Sequence, residues 1–130
     1  MELAAARVFV RDIVAARDFY ENRLGLVMSH DGADEGFCRF DTGQLQLVVE
    51  AVTPDQPPDE QSLVGRFTGL SFGVPDLMAT YEQLKSAGVR FSEVPERQFW
   101  GGWLATLVDP DGNELQLVQF LPERRLHTRS

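Results

Sequence analysis

The stretch "DGNELQLVQF", Asp111–Phe120, repeats in outline an earlier one, "DTGQLQLVVE", Asp41–Glu50. In each, an aspartate stands four positions before the same four letters, Leu-Gln-Leu-Val. Turn-forming residues come first, then apolar and polar side chains alternate, which is a tight turn opening into a strand. Leu115 and Leu117 must point one way and Gln116 the other. A glutamate between the two leucines would be an anionic oxygen ligand for a metal. A glutamine there is a neutral amide that both donates and accepts hydrogen bonds.

The repetition continues outward. "VFVRDIVAARDFYENRLGL", Val8–Leu26, and "LSFGVPDLMATYEQLKSAGV", Leu70–Val89, both read as strand, aspartate, amphipathic helix, glycine. Asp12 and Asp76 stand where a helix N-cap is needed. Ile13, Ala16, Tyr20 and Leu24 share one helical face, as do Leu77, Tyr81 and Leu84. Gly25 and Gly88 suit a left-handed helix end. The chain is therefore expected to be one unit written twice: strand, helix, three strands. The boundaries are residues 1–50 for the first βαβββ module, 51–66 for a linker, 67–120 for the second module and 121–130 for a tail, together one domain. Pro54, Pro57 and Pro58 are taken to exclude regular structure from the linker.

Bulk properties narrow the function. The chain has 130 residues, 43% of them hydrophobic, enough for one packed core. No run of about 18 apolar residues marks a membrane span, and no signal peptide is evident, so a cytoplasmic location is expected. The net charge is −8, and Lys85 is the sole lysine, which argues against nucleic acid. Cys38 is the only cysteine, so neither an internal disulfide nor a thiolate cluster can form. It reads as a buried structural thiol. An acidic surface favours solubility and, where it lines a cleft, cationic ligands.

Read with period two, one strand face carries Val8, Val10, Leu47, Val49, Phe72, Leu115 and Leu117 and belongs under the helices. The other carries Ala5, Arg7, Gln44, Gln46, Gly69, Ser71, Glu114 and Gln116. It fits a solvated face or the wall of a polar cavity.

With these residues in place, the chain resembles the vicinal oxygen chelate superfamily, which includes glyoxalase I, bleomycin resistance proteins, fosfomycin resistance enzymes and extradiol dioxygenases. The resemblance rests on the duplicated unit, on "RDIVAARDFYENRLGL" and on "DPDGNELQL", and it covers about residues 3 to 120. It implies an α+β fold: two tandem βαβββ modules forming curved mixed sheets around a cavity. Enzymes of the family hold a divalent metal there. Counting seven residues back from each helix-opening aspartate gives the two usual histidine positions, here Ala5 and Gly69. The usual carboxylate positions are Gln46 and Gln116. A divalent ion needs three or four donors, usually some of them charged. Two neutral amides do not supply them, and neither His30 nor His127 is placed to help. Glu50 and Glu114 share the polar face but lie near strand ends, where solvation is the simpler reading.

"RQFWGGWLATL", Arg97–Leu107, sets Phe99, Trp100 and Trp103 around Gly101 and Gly102. Tryptophans at a cavity rim can stack on flat or cationic ligands. A satellite core cluster or a subunit interface would use the same residues. In bleomycin-binding relatives a tryptophan-glycine pair precedes the same hairpin. The expected function is binding of a small organic ligand, cationic or aromatic, by Arg7, Gln46, Ser71, Trp100, Trp103 and Gln116. No metal, no cofactor and no catalytic residue are expected. A homodimer is expected, because relatives commonly pair and two sheets leave edges to cover. Two other readings stay open: a metal-dependent lyase or dioxygenase with unusual ligands, and a non-catalytic interaction module.

Overall fold

The computed structural model describes residues 1–121; the expected tail beyond them, with His127, lies outside the described residues. Among the described residues, eight strands and three α-helices occur in chain order: β1 (Ala5–Val10), α1 (Ile13–Asp18), β2 (Val27–Gly32), β3 (Phe37–Asp41), β4 (Gln46–Ala51), α2 (Pro58–Gln61), β5 (Phe67–Gly73), α3 (Leu77–Ser86), β6 (Arg90–Arg97), β7 (Trp103–Val108) and β8 (Glu114–Gln119). They form two four-stranded sheets, ordered β1-β4-β3-β2 and β5-β8-β7-β6. In the first, β1 runs parallel to β4 and the other pairs are antiparallel. The fold is α+β with mixed sheets, as the duplicated sequence implies.

The helix ends follow local chemistry. The Asp12 carboxylate accepts from the Ala15 N–H at 3.0 Å, and Asp76 accepts from Ala79 at 3.1 Å. Each cap contributes about 1 kcal/mol. Gly25 (φ 74°) and Gly88 (φ 88°) close the two helical segments in the left-handed region. Between Phe19 and Arg23 the first helical segment widens into a π-turn, with the Leu24 N–H donating to the Phe19 carbonyl at 2.9 Å. The wider turn lets two consecutive residues, Phe19 and Tyr20, both be buried.

One compact unit comprises Met1–Thr68 with Asp109–Asn113. In it, α1 and the π-turn cover Val8, Val10, Cys38, Phe40, Leu47 and Val49, all buried. Each large apolar side chain removed from water there contributes roughly 1.5–3 kcal/mol. The second unit runs from Gly69 to Val108 and resumes at Glu114. There α3 places Leu77, Tyr81 and Leu84 over Ala105, Leu107, Leu115 and Leu117.

Two features of the first unit depart from the sequence reading. The proline-rich linker holds regular structure after all: Pro57 and Pro58 occupy the N-cap and first-turn positions of α2, where a missing N–H is harmless. Gln61 ties α2 down, donating to the Thr53 carbonyl at 2.7 Å and accepting from the Arg11 guanidinium. Val64 bridges Phe9 of β1. The first unit also takes in the Asp109–Asn113 turn, which the sequence places in the second repeat. The Tyr20 hydroxyl donates to Asp109 Oδ2 at 2.8 Å. The Asn113 amide donates to the Phe9 carbonyl at 2.8 Å and accepts from the Gly65 N–H at 2.9 Å. Asp111 accepts from the Arg11 N–H at 2.9 Å. Burial, and then the Asp109 carboxylate beside it, push the Tyr20 phenol well above its ordinary pKa.

Candidate functional site

In the second unit, cross-strand register lines up Glu93 of β6, Thr106 of β7 and Gln116 of β8 on the face away from α3. The buried Thr106 hydroxyl donates to Glu93 Oε1 at 2.6 Å. Gln116 Nε2 reaches the same hydroxyl oxygen at 3.5 Å, and Ser71 Oγ on β5 reaches Gln116 Oε1 at 3.5 Å. A polar row thus crosses the sheet. Its central amide is held at both ends by bonds at the long limit, far weaker than a 2.9 Å contact. Beside it lies a cleft of about 270 Å³ lined by Glu93, Val94, Glu96, Gln98, Leu104 and Gln116. This arrangement offers two amides, two carboxylates and the apolar side chains of Val94 and Leu104 to a bound molecule.

The first unit's open face is built differently. Gln46 takes a 2.5 Å hydrogen bond from the Ser29 hydroxyl. Arg7 meets Glu50 at 2.7 Å, and its guanidinium lies 5.0 Å from the Phe9 ring centroid. Both polar groups are occupied by near neighbours. The Arg7–Glu50 pair is half exposed, so screening leaves it worth at most about 1 kcal/mol.

The expected site residues therefore fall into separate settings. Ser71 and Gln116 meet in the second unit, and Arg7 and Gln46 lie on one face of the first. Trp103 pairs with Gln119 and alternates with Leu104, so it shares the α3 side with Ala105 and Leu107, not the Gln116 face. The Gln119 side chain confirms that direction by accepting from the Leu77 N–H at 2.7 Å. Trp100 folds back over Gly102, where an added Cβ would lie 1.8 Å from the indole, and its ring centroid is 5.9 Å from that of Phe120. Phe99 at the tip of the same turn is fully exposed. Glu93, Glu96, Leu104 and Thr106 escaped the sequence reading. Bulges in β6 and Pro95 break the alternation that would have assigned the two glutamates to a face.

The positions that the family resemblance marks for metal give little to one. Ala5 is exposed, and Gly69 sits at φ 76°, which a histidine would adopt only with strain. His30 lies inside β2, 3.2 Å from Glu35 and stacked on Phe37. Cys38 is buried, which raises its thiol pKa. Among the described residues no three His, Cys, Asp or Glu side chains gather as a metal-binding group. Among the same residues no helix is long and apolar enough to cross a membrane.

Known proteins share this architecture. A bleomycin resistance protein of Klebsiella pneumoniae is 34% identical over 116 residues, covering 84% of this chain and 85% of that one. A member of the glyoxalase/bleomycin resistance protein/dioxygenase superfamily from Sphaerobacter thermophilus DSM 20745 superposes with a TM-score of 0.77 at 30% identity, over 92% of this chain and 98% of that one. TnmS3, an antibiotic binding protein from Streptomyces sp. CB03234, superposes with a TM-score of 0.72 at 27% identity, over 92% and 95% of the two chains. The glyoxalase family model matches residues 2–117. The chain belongs to the Glyoxalase/Bleomycin resistance protein/Dioxygenase superfamily.

Proposed function

We propose that this protein binds a small organic molecule through the polar row of its second unit, with no metal in the site. The observation that carries the reading is Gln116, an amide facing a cleft with only 3.5 Å contacts at either end. Such a group gains by pairing with a ligand at ordinary distance. Glu93 and Glu96 favour a ligand with a cationic or hydrogen-bond-donating part, and Val94 and Leu104 favour an apolar one. The cleft volume of about 270 Å³ falls just below the usual range of about 300–1,000 Å³, so it suits a small molecule or one arm of a larger one. The likeness to a bleomycin resistance protein and to an antibiotic binding protein supports binding over catalysis.

The test is titration calorimetry with a ligand found by thermal-shift screening, on wild type and Gln116→Leu. The variant should fold normally and bind more weakly by about 0.5–3 kcal/mol. Unchanged affinity with a large loss of stability would make Gln116 structural. Elemental analysis showing about one divalent ion per chain would overturn the metal-free part. We also propose a homodimer: Val27, Phe67, Phe99 and Phe120 are exposed apolar side chains that a second copy would cover. A monomer by light scattering at tens of micromolar would contradict it.

A further inference from the structure

A second cleft, of about 480 Å³, lies where α3 meets β6 in the second unit. Its lining has a composition unlike the rest of the protein. Tyr81 and Phe91 form an edge-to-face pair with centroids 4.7 Å apart. Val89, Val94 and Val108 add aliphatic wall. Lys85 and Arg90 also line it, and among the described residues neither makes an ion pair. The Lys85 ammonium lies 5.6 Å from the Tyr81 ring centroid. In a chain of net charge −8, this cleft gathers the sole lysine and an arginine beside an aromatic wall. Ser92 of the lining donates its hydroxyl to Glu114 at 2.6 Å.

We infer that this cleft is a second binding site, for a small aromatic carboxylate whose ring lies against Tyr81 and Phe91 and whose anion meets Lys85 and Arg90. The chemistry follows from the lining. An apolar guest would leave the two cations unused, and a bare anion would leave the aromatic wall unused. A cationic guest would be repelled. Arg90 can grip a carboxylate with two parallel N–H bonds, and Lys85 adds a movable point charge. The volume fits a two-ring molecule. The inference does not depend on the Gln116 site, which has a separate lining apart from Val94.

The experiment is NMR titration of the full chain with three probes: 1-naphthoate, 1-naphthylmethylammonium and inorganic phosphate. Naphthoate should shift the amides of Tyr81, Lys85, Arg90 and Phe91 in saturable fashion, and the two other probes should bind at least about tenfold more weakly. Lys85→Gln with Arg90→Gln should weaken naphthoate about tenfold or more at an unchanged melting temperature, since both side chains are exposed. The inference is overturned if the amine binds as well as the acid, if phosphate alone matches naphthoate, if the shifts map to Thr106 and Gln116, or if the double variant keeps its affinity while remaining folded.

Discussion

The turns at Asp41–Leu45 and Asp111–Leu115 start from the same residue and lead into the same four letters, yet one is wet and the other largely enclosed. Asp41, Thr42, Gly43 and Gln44 are exposed, and their hydrogen bonds stay local. Asp109 and Asn113 are buried, and their turn bonds to Phe9, Arg11, Tyr20 and Gly65. The two glutamines that follow show the reverse. Gln46 is clamped by Ser29 at 2.5 Å, and Gln116 is loosely held at 3.5 Å. A duplicated unit has divided its labour: one copy of the motif carries architecture in its turn and leaves its strand amide available.

The strongest way to break that comparison is Asn113→Ala. It leaves the part-buried Phe9 carbonyl and the Gly65 N–H without their partner and takes a donor from the buried Asp109, and an unsatisfied group shielded from water costs about 1–3 kcal/mol. A loss of about 3 kcal/mol or more is expected by urea unfolding, against about 1 kcal/mol or less for Asp41→Ala in the exposed copy. Equal losses would mean that the two turns do the same work.

Tyr20→Phe comes next, at about 1–3 kcal/mol, because Asp109 loses a donor in a buried site. It also has a pH signature. The folded phenol titrates above its unfolded value of about 10, so its contribution is complete below pH 10 and is lost as pH rises from there towards the folded value. Wild type should therefore lose stability above pH 10 more steeply than the phenylalanine variant. Parallel curves in alkaline unfolding would remove Tyr20 from the account.

The smallest effect sharpens the comparison within β5. Gly69→Ala places a Cβ at φ 76° and should cost about 1–2 kcal/mol by thermal unfolding. Gly73→Ala meets nothing within 4 Å and has no positive φ, so it should be neutral or slightly stabilising. If both glycines tolerate alanine alike, strain at Gly69 is not what would resist a histidine there.

What sequence could reveal was whatever the chain encodes locally or by repetition. The caps at Asp12 and Asp76, the left-handed glycines and the alternation of Leu115, Gln116 and Leu117 all depend on residues a few positions apart. The repeat itself carried the topology. What escaped depends on distant partners or on backbone irregularity. Nothing near Tyr20 announces Asp109, 89 residues away. The π-turn is invisible to a period of 3.6, and bulges hid Glu93 and Glu96. The direction of Trp103 was equally hidden, because an aromatic cluster in sequence need not be one in space: consecutive strand residues face opposite ways.

The exchange of the Asp109–Asn113 turn has a consequence for how this chain comes off the ribosome. Both strands of the first sheet's parallel pair and their helix are complete by Ala51, but the acceptor for Tyr20 and the donor to Phe9 arrive only with Asp109 and Asn113. A nascent chain ending short of Asn113 must keep water at those polar groups. The first unit thus completes its hydrogen bonding only once a turn from late in the chain has been made.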